Sequence, residues 1–194
     1  MDINVGRPLA RADIPALAFL GLRAVNVQSY LESNVKLGAQ FEFSTFNAAV
    51  AGSAVSRLVL ITGSKPLIIK DRQISCTGQG VTARVYKNPT YTGGTPIAIY
   101  NLRQDGTPPA STCSILSGAT VTATGTEIAA PTYVVGATNG VMNSAGTFSN
   151  RGLERILAAN SVYLLEITNR DNGSIQLGTY VTWYEGTTDL PTGE

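Results

Sequence analysis

The last third of the chain leaves little choice of secondary structure. Ser161-Val-Tyr-Leu-Leu-Glu-Ile-Thr-Asn169 and Ser174-Ile-Gln-Leu-Gly-Thr-Tyr-Val-Thr-Trp-Tyr184 are dense in β-branched and aromatic residues, and Arg170-Asp-Asn-Gly173 separates them. Such side chains lose rotamer freedom in a helix and pack well on a pleated surface. Two runs of this kind around an Asn-Gly turn predict a β-hairpin. In the second run Tyr180, Thr182 and Tyr184 share one face while Val181 and Trp183 take the other, so half of the aromatic cluster is free to face outward.

The same theme runs upstream. Phe41 and Phe43 alternate with Glu42 and Ser44, and Val55 to Thr62 reads as a second strand ended by Gly63-Ser64. Pro66 to Cys76 is long enough to predict a bulge or bend near Lys70–Arg72. Gly78-Gln-Gly80 turns the chain into Val81–Lys87, with Val81, Ala83 and Val85 on one face. Asn88-Pro-Thr-Tyr-Thr-Gly-Gly94 has the composition of a turn, and Thr95 to Asn101 reads as its return strand, Pro96 marking an edge or a strand start. Between Arg103 and Arg151 the only charged residues are Asp105 and Glu127, and Thr-Val-Thr alternation there predicts short strands and ordered loops seeking a surface to cover them. Gly152-Leu-Glu-Arg-Ile-Leu-Ala-Ala-Asn160 predicts one short helix, with Leu153, Ile156 and Leu157 on a face, as a crossover between sheets.

Strands about ten residues apart with turn signals between them point to an all-β fold: a jelly-roll or related two-sheet β-sandwich with one short helix. Residues 1–38 read as an extended N-terminal arm, with a helical turn near Val25–Leu31, and residues 39–194 as the sandwich domain. Ile14 to Leu22 is apolar, but Asp2 and Asp13 precede it, Pro15 interrupts it and Arg23 closes it, so it reads as part of the arm rather than a leader. It is also too short to span a bilayer.

Folding at 194 residues buries roughly 70% of the unfolded chain's surface, ample for a core without staples. Charged residues make up 14% against a usual share of about 25%, and the net charge is +1. No electrostatic footprint for nucleic acid or for a membrane surface follows from that balance. Histidine is absent, which removes the Ser-His-Asp and Cys-His machineries and the commonest transition-metal ligand. Cys76 and Cys113 read as small buried apolar residues, a bridge between them being the minority reading.

Site by site, ordinary structural roles outweigh chemical ones. Gly78-Gln-Gly80 lacks the third glycine and the following helix of a phosphate loop. Lys70, Asp71 and Arg72 alternate faces in a strand and read as a solvated or interface cluster. Glu42, Asp71, Asp105, Glu127, Glu154, Glu166 and Asp171 supply carboxylates for a glycosidase-like pair, but none sits in a telling context. Asp171 and Asn172 fit turn chemistry better than calcium. Tyr163, Tyr180, Trp183 and Tyr184 suit cross-strand packing, with a sugar-binding platform as the rival reading. The expectation is therefore no enzyme, no catalytic or metal site and no cofactor.

Five segments together resemble small virion proteins of tailed bacteriophages: Thr62-Gly-Ser-Lys-Pro-Leu-Ile-Ile-Lys70, Asn88-Pro-Thr-Tyr-Thr-Gly-Gly-Thr95, Ile99-Tyr-Asn-Leu102, Gly152-Leu-Glu-Arg-Ile-Leu157 and Thr182-Trp-Tyr-Glu-Gly186. The resemblance covers roughly residues 30–190 and carries no catalytic motif. It implies a capsid decoration, or cement, protein made in the host cytoplasm and sited on the virion capsid surface. Its partners would be the major capsid protein, at capsomer junctions, and its own copies in a trimer, with no nucleic acid or membrane. The alternative is a carbohydrate- or receptor-binding sandwich, or a fibre or spike base.

Overall fold

The computed structural model describes residues 34–137 and 154–186. The arm 1–33, including the turn expected near Val25–Leu31, lies outside the described residues. Asn34–Lys36 forms a single helical turn, after which everything regular is strand.

Eight strands build the frame: β1 (Gln40–Val50), β2 (Val55–Ile61), β3 (Leu67–Cys76), β4 (Val81–Lys87), β11 (Thr132–Val134), β12 (Arg155–Leu157), β13 (Val162–Asn169) and β14 (Ile175–Glu185). One sheet runs β12-β3-β14-β1, and the other contains β4-β13-β2 with β11 beside β4. In chain order the strands switch sheet at every connection except the one from β4 to β11. That is the all-β two-sheet sandwich expected, in the strand order of a jelly roll. Every pairing among these strands is antiparallel.

The alternation corrects the reading of the terminal runs. β13 pairs with β2 and β4, and β14 pairs with β1 and β3, so the two runs lie in different sheets and form no hairpin. Arg170–Ser174 is a corner between sheets rather than a two-residue turn. Asn169, buried at the end of β13, shows why: its Nδ2 faces the carbonyl oxygens of Val50, Ala51 and Gly173 at 3.1, 2.9 and 2.9 Å, and its Oδ1 accepts from the Asp171 amide. Asp171 in turn accepts from the Gln79 and Gly173 amides. Side-chain hydrogen bonds to both sheets hold the corner open against closure into a hairpin.

Two further expectations are corrected. Thr95–Asn101 is no return strand. It divides into β6 (Thr95–Pro96), an edge strand of the second sheet as Pro96 suggested, and β7 (Tyr100–Asn101), which extends the first sheet past β1. Of the helix expected over Gly152–Asn160, Gly152 and Leu153 lie outside the described residues and the remainder holds β12, whose Arg155, Ile156 and Leu157 pair with Ile69, Ile68 and Leu67. A helix that short has little stability of its own, whereas the free edge of β3 offers backbone partners at once. Leu157 is buried and Ile156 is 56% exposed, the opposite faces of a strand.

The low-charge excursion between β4 and β11 finds its covering surface on the chain itself. β8 (Ser114–Ser117) pairs with β2, β10 (Thr126–Glu127) pairs with β4, and β5 (Thr90–Thr92) and β9 (Thr120–Ala123) form a separate ribbon. Tyr91, Ala119 and Val121 pack on Val59 and Leu164, on the outer face of the second sheet. This explains why Tyr163-Leu164-Leu165 is apolar without alternation: that strand is covered on both faces. Between the sheets lie Phe41, Phe43, Leu58, Leu67, Ile115, Leu157 and Val181 around the fully buried Trp183. The ring centroids of Phe41 and Phe43 stand 6.1 Å from Trp183, contacts worth about 0.5–1.5 kcal/mol each beyond the area they bury.

Candidate functional site

The bulge expected in β3 is present. Thr182 lies opposite Asp71 and Trp183 opposite Ile69, so Lys70 is the extra residue. Its consequence is one of direction. Counting strictly by twos from Leu67 and Ile69, Asp71 would face the core and Arg72 solvent. The bulge resets the count, so Arg72 lies opposite core residue Val181 and faces the space between the sheets.

The triplet that reads as one surface cluster is thereby divided. Lys70 pairs with Glu154 and lies 5.1 Å above the Tyr184 ring. Asp71 stays on the outer face and accepts from the Arg72 amide and the Gln73 side chain at 2.9 and 3.1 Å. Arg72 enters the sandwich. On the neighbouring edge strand Arg155 faces the same way, in register with Ile69 and flanking buried Leu157.

Both arginines line a cavity of about 450 Å³ between the sheets. Its walls come from inward-facing apolar side chains of both layers, among them Ile69, Val85, Ile115 and Leu165, and the Ala129–Tyr133 segment closes one side. No carboxylate lines it among the described residues. Arg155 Nη1 is buried without a hydrogen-bond partner. Burial, and then the neighbouring Arg155 charge, pull the Arg72 guanidinium below its ordinary pKa, while Asp71 opposes them. Arg155 thus lies close enough for its charge to act on the partly buried Arg72. Nothing in the sequence beyond the expected bulge pointed to this arrangement, because Arg155 sat in a stretch read as helix.

The seven candidate carboxylates are not brought together. Glu42 accepts from Tyr180 Oη at 2.7 Å, Glu166 pairs with Arg57 at 2.7 Å, Glu127 with Arg84 at 3.1 Å, and Asp105 with Arg103 at 2.6 Å. Glu154 is held below the ordinary carboxylate range by Lys70 above all, and Asp171 by the Gly173 and Gln79 amides. Glu42 and Asp71 both lie opposite Thr182, one strand to either side of β14 on its outer face, and the other five each serve a local contact of their own. Among the described residues, no three His, Cys, Asp or Glu side chains gather as metal ligands, and no helix is long and apolar enough to cross a membrane.

Sequence reasoning passed over the most enclosed carboxylate, Glu185, which is 6% exposed. Burial alone would raise its pKa, but bonds from Ser111 Oγ, Thr112 Oγ1 and amide, and Trp183 Nε1 outweigh that and hold it below the ordinary range. It fastens the loop before β8 to the end of β14. The thiols are free and buried in different parts of the core, so no bridge joins them. Burial raises Cys76 and, with the Glu185 charge, pushes Cys113 up to about 12, leaving both as thiols at neutral pH.

The aromatic cluster is mostly interior. Tyr163, Trp183 and Tyr184 are buried, and the half-buried Tyr180 is tied to Glu42, so these four rings form no exposed platform. Exposed apolar side chains gather elsewhere. Beyond its pairing with β7 at Phe41 and Glu42, β1 has no strand on that side among the described residues. On this stretch Phe46 is 60% exposed, opposite Gly178 on β14, and Tyr100 on β7 is 58% exposed. Comparison with protein-family models, with curated proteins and with solved structures finds no match.

Proposed function

We propose that this protein is a structural component of a bacteriophage virion, a capsid decoration protein that binds the major capsid protein at capsomer junctions and acts as a trimer. The observation that supports this most is the edge of β1, which beyond its short pairing with β7 carries no strand among the described residues. A long strand with unpaired backbone groups is a ready template for another chain, and soluble proteins usually blunt such edges with charge or proline. Here Phe43–Ala49 carries neither, and Phe46 stands exposed over a neighbouring glycine. A strand or loop from a shell subunit would add to this edge, backbone bonds giving adhesion and Phe46 an apolar anchor. The carboxylates spent on local contacts and the charge-poor surface suit a protein that works by contact. Jelly-roll domains serve in viral shells among other roles, which supports the reading by analogy only. Trimeric symmetry would multiply each contact.

The test is reconstitution. Shells of the parent particle lacking this protein are mixed with the purified chain and sedimented, then heated. Co-sedimentation at a fixed ratio and a higher disruption temperature are expected, both lost with Phe46→Lys while that variant's own Tm stays within a few degrees. Shells that neither retain the protein nor gain heat resistance would refute the assignment.

A further inference from the structure

Close packing is the rule where sheets meet, so a partly open space of about 450 Å³ between the layers of a small sandwich calls for a physical reason. Its size lies within the usual range of small-molecule sites, as do its mostly apolar walls and few polar groups. Its charged groups are two inward arginines, one directed there by the β3 bulge and the other by the register of edge strand β12, and Gln73, Thr132, Tyr163 and Thr179 also line it. A guanidinium nitrogen buried without a hydrogen-bond partner, in a mostly apolar space with no carboxylate among its described lining residues, is costly. Arg155 Nη1 carries that cost in the form of an unmade hydrogen bond. Water alone would leave the apolar walls wet, and a hydrocarbon alone would leave Nη1 unpaired. A molecule with an acid at one end and an apolar body at the other satisfies both.

We propose that the cavity is a binding site for an amphipathic anion, its apolar tail lying between the sheets and its carboxylate or phosphate head group bonded to Arg155 with Arg72 beside it. The acid oxygen accepts from Nη1, and the tail lies against Val85, Ile115 and Leu165. This site is independent of the β1 edge, which belongs to the opposite margin of the first sheet.

The full-length protein is titrated with dodecanoate, dodecyl phosphate and dodecanol. Binding is read by displacement of anilinonaphthalene sulfonate and by the rise in Tm that a ligand of the folded state must cause. At least one acid is expected to bind roughly ten- to a hundredfold more tightly than the alcohol, the worth of a hydrogen bond to a charged group. The tighter acid identifies the head group. Arg155→Gln should abolish that preference while leaving dodecanol binding unchanged, and Val85→Phe, which fills the cavity, should abolish binding of all three. Arg155→Met should also raise the urea midpoint of the ligand-free protein, since it removes a buried donor left without a hydrogen-bond partner. Equal affinity for acids and alcohol, a preference that survives Arg155→Gln, or no binding by any of the three would overturn the proposal. Should Val85→Phe fail to fold, the Arg155→Gln comparison decides alone.

Discussion

Deleting a residue from the middle of a core strand normally turns every side chain beyond it to the wrong face. Lys70 is the exception in this chain. With Lys70 removed, Ile69 precedes Asp71 directly, and their existing partners Trp183 and Thr182 are already adjacent on β14. The strand becomes regular, Leu67 and Ile69 keep the core face, and so do Arg72, Ile74 and Cys76. The loss is then that of the Lys70 side chain: a partly exposed pair with Glu154, about 0–1 kcal/mol, and a contact over the Tyr184 ring, about 0.5–1 kcal/mol. Deletion of Lys70 should cost about 0.5–2 kcal/mol. Gln73 is the control, because it lies in a regular stretch opposite Tyr180. Its deletion must turn out either Arg72 or Ile74 and Cys76, and then break ladder bonds as well. Displacing a buried Ile costs about 1.5–3 kcal/mol before any other term, a large share of the roughly 5–15 kcal/mol that holds a domain folded. Urea denaturation followed by fluorescence reads both variants cleanly, since the sole tryptophan, Trp183, sits in the core directly opposite the bulge. A Lys70 deletion as damaging as the Gln73 deletion would refute the reset of direction that brings Arg72 inside.

Two predictions concern the buried polar fasteners. The Asn169 amide has two hydrogens for its three carbonyl neighbours, so it makes about three full bonds including the one to the Asp171 amide, and Asn169→Ala should cost about 3 kcal/mol. Asn169→Asp should be worse at neutral pH, because it turns a carboxylate towards three carbonyl oxygens. Lowering the pH should narrow that gap as the acid protonates, and an Asp variant more stable than the Ala variant near pH 7 in urea would contradict the geometry. For Glu185 the folded carboxyl lies below its unfolded value of about 4.3. Its stabilisation is thus complete above that value and lost as pH falls through the folded one. Urea midpoints between about pH 7 and about pH 3 should fall less steeply in Glu185→Gln, and identical slopes would count against the role assigned to it.

The alternation of β1, β4 and β14 was legible because period two is set by single residues and their immediate neighbours. The bulge near Lys70 was legible too, from a strand too long to run straight. What could not be read locally was pairing. Asn172-Gly173 carries the strongest local hairpin signal in the chain, yet it turns a corner between sheets, since Asn169 bonds to β1 more than a hundred residues upstream. Leu153, Ile156 and Leu157 share a helical face, yet the free edge of β3 captures residues 155–157 as strand. In both cases a long-range partner outbid a local preference. The functional residues suffered most: Arg72 and Arg155 reach the same cavity only through a bulge in one strand and the strand state of the other.

Two buried polar groups of this sandwich, Asn169 and Glu185, contrast with Arg155, although Asn34 Nδ2 and Gln40 Oε1 are also buried without a hydrogen-bond partner. Asn169 and Glu185 sit where the chain changes sheet or a long loop returns, and each bonds a distant segment, Val50 and Ala51 for Asn169 and Ser111 and Thr112 for Glu185. Such groups specify which corner meets which strand, a task that apolar packing performs poorly because it has no direction. Arg155 differs on every point: it lies on a three-residue edge strand, fastens no corner, and keeps a buried nitrogen unpaired beside a space with apolar walls. A fold able to satisfy its corners so thoroughly had the means to place a hydrocarbon there. The arginine stands opposite Ile69, next to a bulge that sends a second cation inward, and this placement, apart from the β1 edge, is what suits the margin at β12 to an anion.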